Sequence, residues 1–135
     1  MTVSYLLEDI QASVTAAYFS LLADKISFNP EDKTTWNKLN RKIPNNKHRR
    51  NYPAIKIGRL AVNSDYSGYG IGSMIIGNIK YAFTHVRRMG CRFLTVDALK
   101  SAIPFYEKCG FRFFTEKDQE DETRLMFFDL KTYVV

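Results

Sequence analysis

The sequence is short of the residues from which metal and redox sites are built. It has two cysteines and two histidines in 135 residues, and His48 and His85 stand apart from Cys91 and Cys109. No four-ligand set at zinc-like spacing exists, so no metal is expected. Two cysteines cannot form a disulfide framework, so reduced thiols and a cytoplasmic setting are expected. No apolar run reaches the roughly 20 residues of a membrane-spanning helix. Met1 to Asp9 lacks a basic stretch followed by an apolar one, so no secretory signal is expected.

Carboxylates are missing where cations concentrate. Lys38 to Arg59 contains eight Lys or Arg and no Asp or Glu, within a chain of net charge +6. Such a segment attracts nucleic acid or a polyanionic cofactor, although a solvated basic loop is the plainer alternative. The reverse occurs at Glu116 to Glu122, where five carboxylates accompany one lysine. That stretch reads as a solvated turn.

Two phosphate-binding motifs are also absent. A P-loop ends in Gly-Lys-Ser/Thr, whereas Gly72 is followed by Ser73 and Met74. The dinucleotide fingerprint fails because Ile75 stands where its third glycine belongs. What is present is Tyr66-Ser67-Gly68-Tyr69-Gly70-Ile71-Gly72-Ser73, between a strand-like run and an amphipathic helical one. Glycines allow a tight turn and close backbone approach. The helix start adds orphan N–H groups and a positive dipole end. The loop alone fits an anion site and a bare glycine turn equally.

With 45% hydrophobic and 14% aromatic residues the chain reads as one globular domain, residues 1–135. Strands are expected at Ser4 to Glu8 and Val14 to Leu22, as a hairpin. Ala16 and Ala17 are weak strand formers within it. Asp32 or Thr34 caps a short helix through Leu39, and Asn45 to Arg50 reads as a loop. Ile55 to Val62 is a strand whose alternation slips at Gly58-Arg59, as a bulge or splay would cause. Helical spacing runs from Ile71 to Val86, ending near Arg88-Met89 with Gly90 as its stop. Cys91 to Asp97 is a buried strand, and Ser101 to Lys108 a short helix with Pro104 in its first turn and Gly110 as its end. Phe111 to Thr115 and Thr123 to Leu130 close as a hairpin. This order is an α/β arrangement with a parallel step around the long helix.

Three ordered blocks carry a resemblance. Leu60-Ala61-Val62, the glycine loop, and Phe105-Tyr106-Glu107-Lys108-Cys109-Gly110-Phe111 resemble the GNAT superfamily of acetyl-CoA-dependent N-acetyltransferases. The resemblance implies a mixed, centrally splayed sheet flanked by helices, shortened at its N-terminus by a strand and two helices. It implies acetyl-CoA as cofactor, with the pyrophosphate on the loop Ser67, Gly68, Tyr69, Gly70, Ile71, Gly72 and Ser73, and the pantetheine arm beside Leu60, Ala61 and Val62. Ser67 replaces the family's usual long polar residue. Tyr106 takes the place of the tyrosine that protonates the departing thiolate. No general base is evident, and His48 and His85 read as surface residues.

Three further features look like the toxin-type branch that acetylates aminoacyl-tRNA. They are Ile57 to Val62, Thr95 to Leu99, and the segment containing Asn40-Arg41-Lys42-Ile43-Pro44 and Tyr52-Pro53. The branch implies a primary-amine acceptor on aminoacyl-tRNA, an antitoxin partner and no membrane; apolar surface left by the absent helices points to a homodimer. The basic segment would contact phosphates. The alternative is a catalytically impaired module that binds acetyl-CoA or nucleic acid without transfer.

Overall fold

The structure is a computed structural model that describes residues 2–27, 29–30, 32–41, 43, 51–86 and 91–133. The expected loop at Asn45 to Arg50, with His48, and the helix end at Arg88 to Gly90 lie outside the described residues. Six strands form one sheet: β1 (Thr2–Asp9), β2 (Val14–Ser27), β3 (Asn51–Val62), β4 (Phe93–Leu99), β5 (Arg112–Phe113) and β6 (Thr123–Asp129). Their order across the sheet is β1-β2-β3-β4-β6-β5. All neighbours are antiparallel except β3 and β4. That parallel step requires a crossover, which α2 (Ile71–Tyr81) supplies. The remaining helices are α1 (Lys33–Asn40) and α3 (Ile103–Lys108).

Side-chain alternation divides the core between the two faces of the sheet. Ile55 and Ile57 of β3 and Leu94, Val96 and Ala98 of β4 pack with Ile75, Ile76 and Ile79 of α2 and with Tyr106 of α3. The other face carries Ile26, Tyr52, Ala54 and Phe93, covered by Trp36 of α1. Ala16 and Ala17 are buried, so packing overrides their weak strand propensity there.

β2 and β3 both exceed their expected lengths. β2 continues past Leu22 to Ser27 because the charge at Asp24 is satisfied across the sheet, where it accepts the Thr95 hydroxyl at 2.9 Å. β3 begins at Asn51 and includes Pro53, which falls one residue before pairing with β4 starts. The slip at Gly58 is a bulge: Ser20 pairs with Arg59 and Leu21 with Ile57, leaving Gly58 unopposed. A Cβ at Gly58 would lie 2.8 Å from Ser20 Oγ, so only glycine fits without a shift.

Other expectations are corrected. The long helix is not uniform, because α2 ends at Tyr81 and a wider π turn covers Ala82–Val86. There the Thr84 hydroxyl donates back to the Lys80 and Tyr81 carbonyls, a contact that bends and loosens helices. Asp32 occupies the cap position of α1, but its carboxylate accepts the Thr35 and Thr115 hydroxyls and caps no backbone N–H. The strand expected from Cys91 starts at Phe93, and β5 has only two residues. The acidic turn is more than solvated, since Asp118 accepts from Arg124 Nε and from the Leu125 amide, each at 2.9 Å.

Candidate functional site

The pairing of β3 with β4 stops at Ile57 and Val96, yet β3 runs on to Val62 and β4 to Leu99. Leu60, Ala61 and Val62 remain paired with β2 on one side only. Their other edge opens on a gap, and an unpaired edge of this kind offers backbone donors and acceptors to an amide-bearing ligand.

The glycine loop closes the upper end of the gap. Asn63 anchors it: its N–H donates to the Ala16 carbonyl at 2.7 Å and its side chain accepts from the Asp65 amide at 3.0 Å. Tyr66 donates its hydroxyl to Asp9 at 2.5 Å, tying the loop to the β1–β2 turn. That bond, joined by the Ala12 and Gln11 amides, holds the Asp9 carboxyl below its ordinary pKa. Gly68 and Gly70 have φ of +85° and +73°, and a Cβ at either would meet no protein atom within 4 Å. They are glycines for their backbone conformation, and the space above them is open.

Gly70 caps α2 in the left-handed conformation. Met74 N–H closes onto the Gly70 carbonyl at 3.0 Å, and the N–H groups of Ile71, Gly72 and Ser73 have no backbone acceptor among the described residues. Three orphan donors at a helix N-terminus suit a phosphate. Tyr69 is largely exposed beside them. Ser67 donates its hydroxyl to the Ser64 carbonyl at 2.9 Å, so this side chain braces the loop.

Tyr106 lies below, on α3. It is 6% exposed, edge-on to Phe105 at 5.0 Å and to Phe111 at 5.5 Å. Its hydroxyl has no hydrogen-bond partner among the described residues, and because no buried side-chain oxygen there is left unsatisfied, the Tyr106 oxygen reaches the surface while the ring is buried. Burial pushes its pKa up, which keeps the phenol protonated as a proton donor. Phe105 ties it to the loop: a Cβ at Gly72 would sit 3.1 Å from the Phe105 ring. A further contact joins α2 to the end of α3. Lys80 donates to the Cys109 carbonyl, with its ammonium 3.9 Å from the Phe128 ring centroid. Burial lowers the Lys80 pKa and raises that of Cys109.

The opposite face of the sheet holds a charged group at the mouth of the gap. Lys56 Nζ is 2.8 Å from Asp97 and 3.8 Å from Asp24. Burial opposes its charge, but the hydrogen bonds and charges of the two carboxylates outweigh burial and raise its pKa. Lys56 is therefore not a free phosphate contact, although the sequence places it in the basic segment. His85 is exposed and stacked on Tyr81 at 4.6 Å, away from Tyr106. Among the described residues no group of three potential metal ligands exists. No helix among them is long and apolar enough to cross a membrane.

A glycine-turned helix start, a half-paired strand and a buried tyrosine on the next helix form one arrangement. The family model for the acetyltransferase (GNAT) domain matches residues 39–113, more than half of the chain and all three elements. The chain belongs to the GNAT acetyltransferases. Solved structures share the fold of this acetyltransferase. A bacterial toxin aligns with a TM-score of 0.71 at 14% identity over 96% of this chain and 68% of its own. AtaT complexed with acetyl-methionyl-tRNAfMet aligns at 0.67 and 24% identity, over 96% and 71%. AtaTR bound with acetyl-CoA aligns at 0.66 and 20%, over 96% and 70%. GNAT enzymes use acetyl-CoA, and the open loop, orphan N–H groups and free strand edge described above fit its pyrophosphate and amide arm.

Sequence reasoning found the loop, the strand and Tyr106 but missed what holds them together. Asp9, Asn63 and Lys80 act through partners distant in sequence, and no local pattern marks them. The Gly72–Phe105 contact was half visible, because a third glycine where conformation does not demand one signals close approach.

Proposed function

We propose that this chain transfers an acetyl group from acetyl-CoA to the α-amino group of an aminoacyl-tRNA. The observation that carries the transfer is Tyr106, whose ring is buried while its hydroxyl has no protein partner among the described residues, on a helix whose Phe105 packs against Gly72 of the glycine loop. When bound, acetyl-CoA supplies an activated thioester. The N–H groups from Tyr69 to Ser73 hold its diphosphate, and the free edge of Leu60 to Val62 aligns its amide arm. The Tyr106 Oη holds a proton and delivers it to the departing sulfur. The RNA acceptor is supported by the basic segment, of which Lys38, Arg41 and Arg59 are exposed, and by the shared fold with AtaT bound to an acetylated aminoacyl-tRNA. A module that binds without transferring is the second reading; it is favoured by Ser67, whose hydroxyl is already engaged within the loop.

Tyr106→Phe keeps the ring packing and removes the proton. Acetylation of methionyl-tRNA from labelled acetyl-CoA is expected to slow by about 100-fold or more, with acetyl-CoA affinity within about twofold of wild type because binding groups are untouched. Unchanged turnover removes Tyr106 from the chemistry. No transfer to any aminoacyl-tRNA by the wild type removes this acceptor.

A further inference from the structure

A second concavity lies beyond β4, at the far edge of the sheet. It has a volume of about 290 Å³ and opens between α1, β5 and the end of β6. Its walls include Leu39, Phe114 and Phe127, with Lys38 and Arg112 beside them. Phe114 and Phe127 meet edge-on at 6.0 Å and both remain half-buried, so each keeps surface for another flat group.

Charge on this cleft is unbalanced. Asp129 is neutralised by Arg92, which donates from Nε at 3.1 Å and from Nη2 at 3.0 Å. Glu116, largely exposed at the rim, shares Arg124 with Asp118, at 3.8 Å against 2.9 Å. Lys38 and Arg112 are exposed, and neither makes an ion pair or hydrogen bond among the described residues. Two cations without a protein partner among the described residues therefore flank an aromatic wall, one positive charge in excess over the carboxylates around it. A purely apolar ligand would leave the cations unused, and a bare anion would leave the aromatic wall unused. A nucleotide uses both, because its base stacks on aromatic rings and its phosphate pairs with cations. The volume, near the lower bound of small-ligand sites, admits one such unit and not a duplex. Lys38 also opens the carboxylate-free basic segment, so the cleft is continuous with it in sequence.

We propose that this cleft takes one unpaired nucleotide of an RNA, its base on Phe114 and Phe127 and its phosphate on Lys38 and Arg112. The inference rests on the RNA-acceptor reading and adds a binding site separate from the acetyl-transfer gap.

The test uses the full chain and a fluorescent RNA hexamer, compared with the same hexamer made abasic, titrated by anisotropy at several salt concentrations. The normal hexamer is expected to bind about tenfold tighter than the abasic one. The Lys38→Ala, Arg112→Ala double variant, altered only at exposed positions, should lower the slope of log K against log salt by about 0.7, the share of one phosphate. Phe114→Leu, with its melting temperature checked, should erase the preference for bases. Equal affinity for normal and abasic RNA, or an unchanged slope in the double variant, overturns the proposal. Methionyl-tRNA acetylation separates the two readings. Base-dependent binding without acetylation supports the cleft and sinks the acceptor. Acetylation that the double variant leaves intact, with an unchanged salt slope, sinks the cleft alone.

Discussion

Gly70 separates the loop's effect on stability from its effect on ligand binding. Its φ is +73° and ψ is 19°, and a Cβ there meets no protein atom within 4 Å. Gly70→Ala therefore costs only the left-handed backbone penalty, about 1 kcal/mol, which lowers the melting temperature by about 3–5 °C in a domain of this size. Gly70→Glu pays the same penalty but places a carboxylate at the positive end of α2, recovering about 0.3–1 kcal/mol. The Glu variant should thus melt at or above the Ala variant. Affinity for acetyl-CoA should move the opposite way. A carboxylate near a diphosphate at the protein surface costs about 2 kcal/mol, or about 30-fold in Kd. Differential scanning calorimetry and titration calorimetry measure the two quantities on the same samples. If Gly70→Glu binds acetyl-CoA within twofold of Gly70→Ala, the loop does not hold the diphosphate and the reasoning fails.

Two further outcomes follow from contacts around the gap. Gly72→Ala puts a methyl 3.1 Å from the Phe105 ring, which must yield by a few tenths of an ångström. A stability loss of about 1 kcal/mol is expected, with kcat falling about fivefold through the displaced α3; an unchanged kcat would show that Phe105 yields without moving Tyr106. Lys56→Met leaves Asp24 and Asp97 unscreened on the sheet face, and a loss of about 1 kcal/mol is expected at neutral pH. Because the folded pKa of Lys56 is raised, its contribution is fully present below the unfolded lysine value of about 10.4 and fades as pH climbs through the folded value. Wild type and variant should therefore converge in stability only in strong alkali, and convergence near pH 8 would contradict the pairing.

Local physics made some of this legible. Gly58 broke an alternation, and the structure has its bulge there; Gly110 followed a helical run, and its φ is +89°. Both are backbone demands that one residue type announces. What stayed hidden depended on partners far along the chain. The strand expected to stop at Leu22 runs on through Asp24, whose bonds come from Thr95 and Lys56. The widened turn at Ala82–Val86 arises from the Thr84 hydroxyl returning to the main chain, which hydrophobic spacing does not register. Asp118 looked like one charge among five and is instead the acceptor that holds Arg124 across the hairpin. The site followed the same rule: glycine loop and tyrosine were readable, and the contacts uniting them were not.

The joint between α2 and α3 has a consequence for how such an enzyme changes. Phe105 on Gly72 and Lys80 on the Cys109 carbonyl couple the two helices at both ends. Any substitution that shifts the phosphate end carries the tyrosine with it, so donor handling is inherited as one block. α1 sits across the sheet and shares neither of those contacts. Exchanging residues 33–41 should therefore leave the α2–α3 joint in place, and selection or a protein engineer can alter the two faces of the sheet separately.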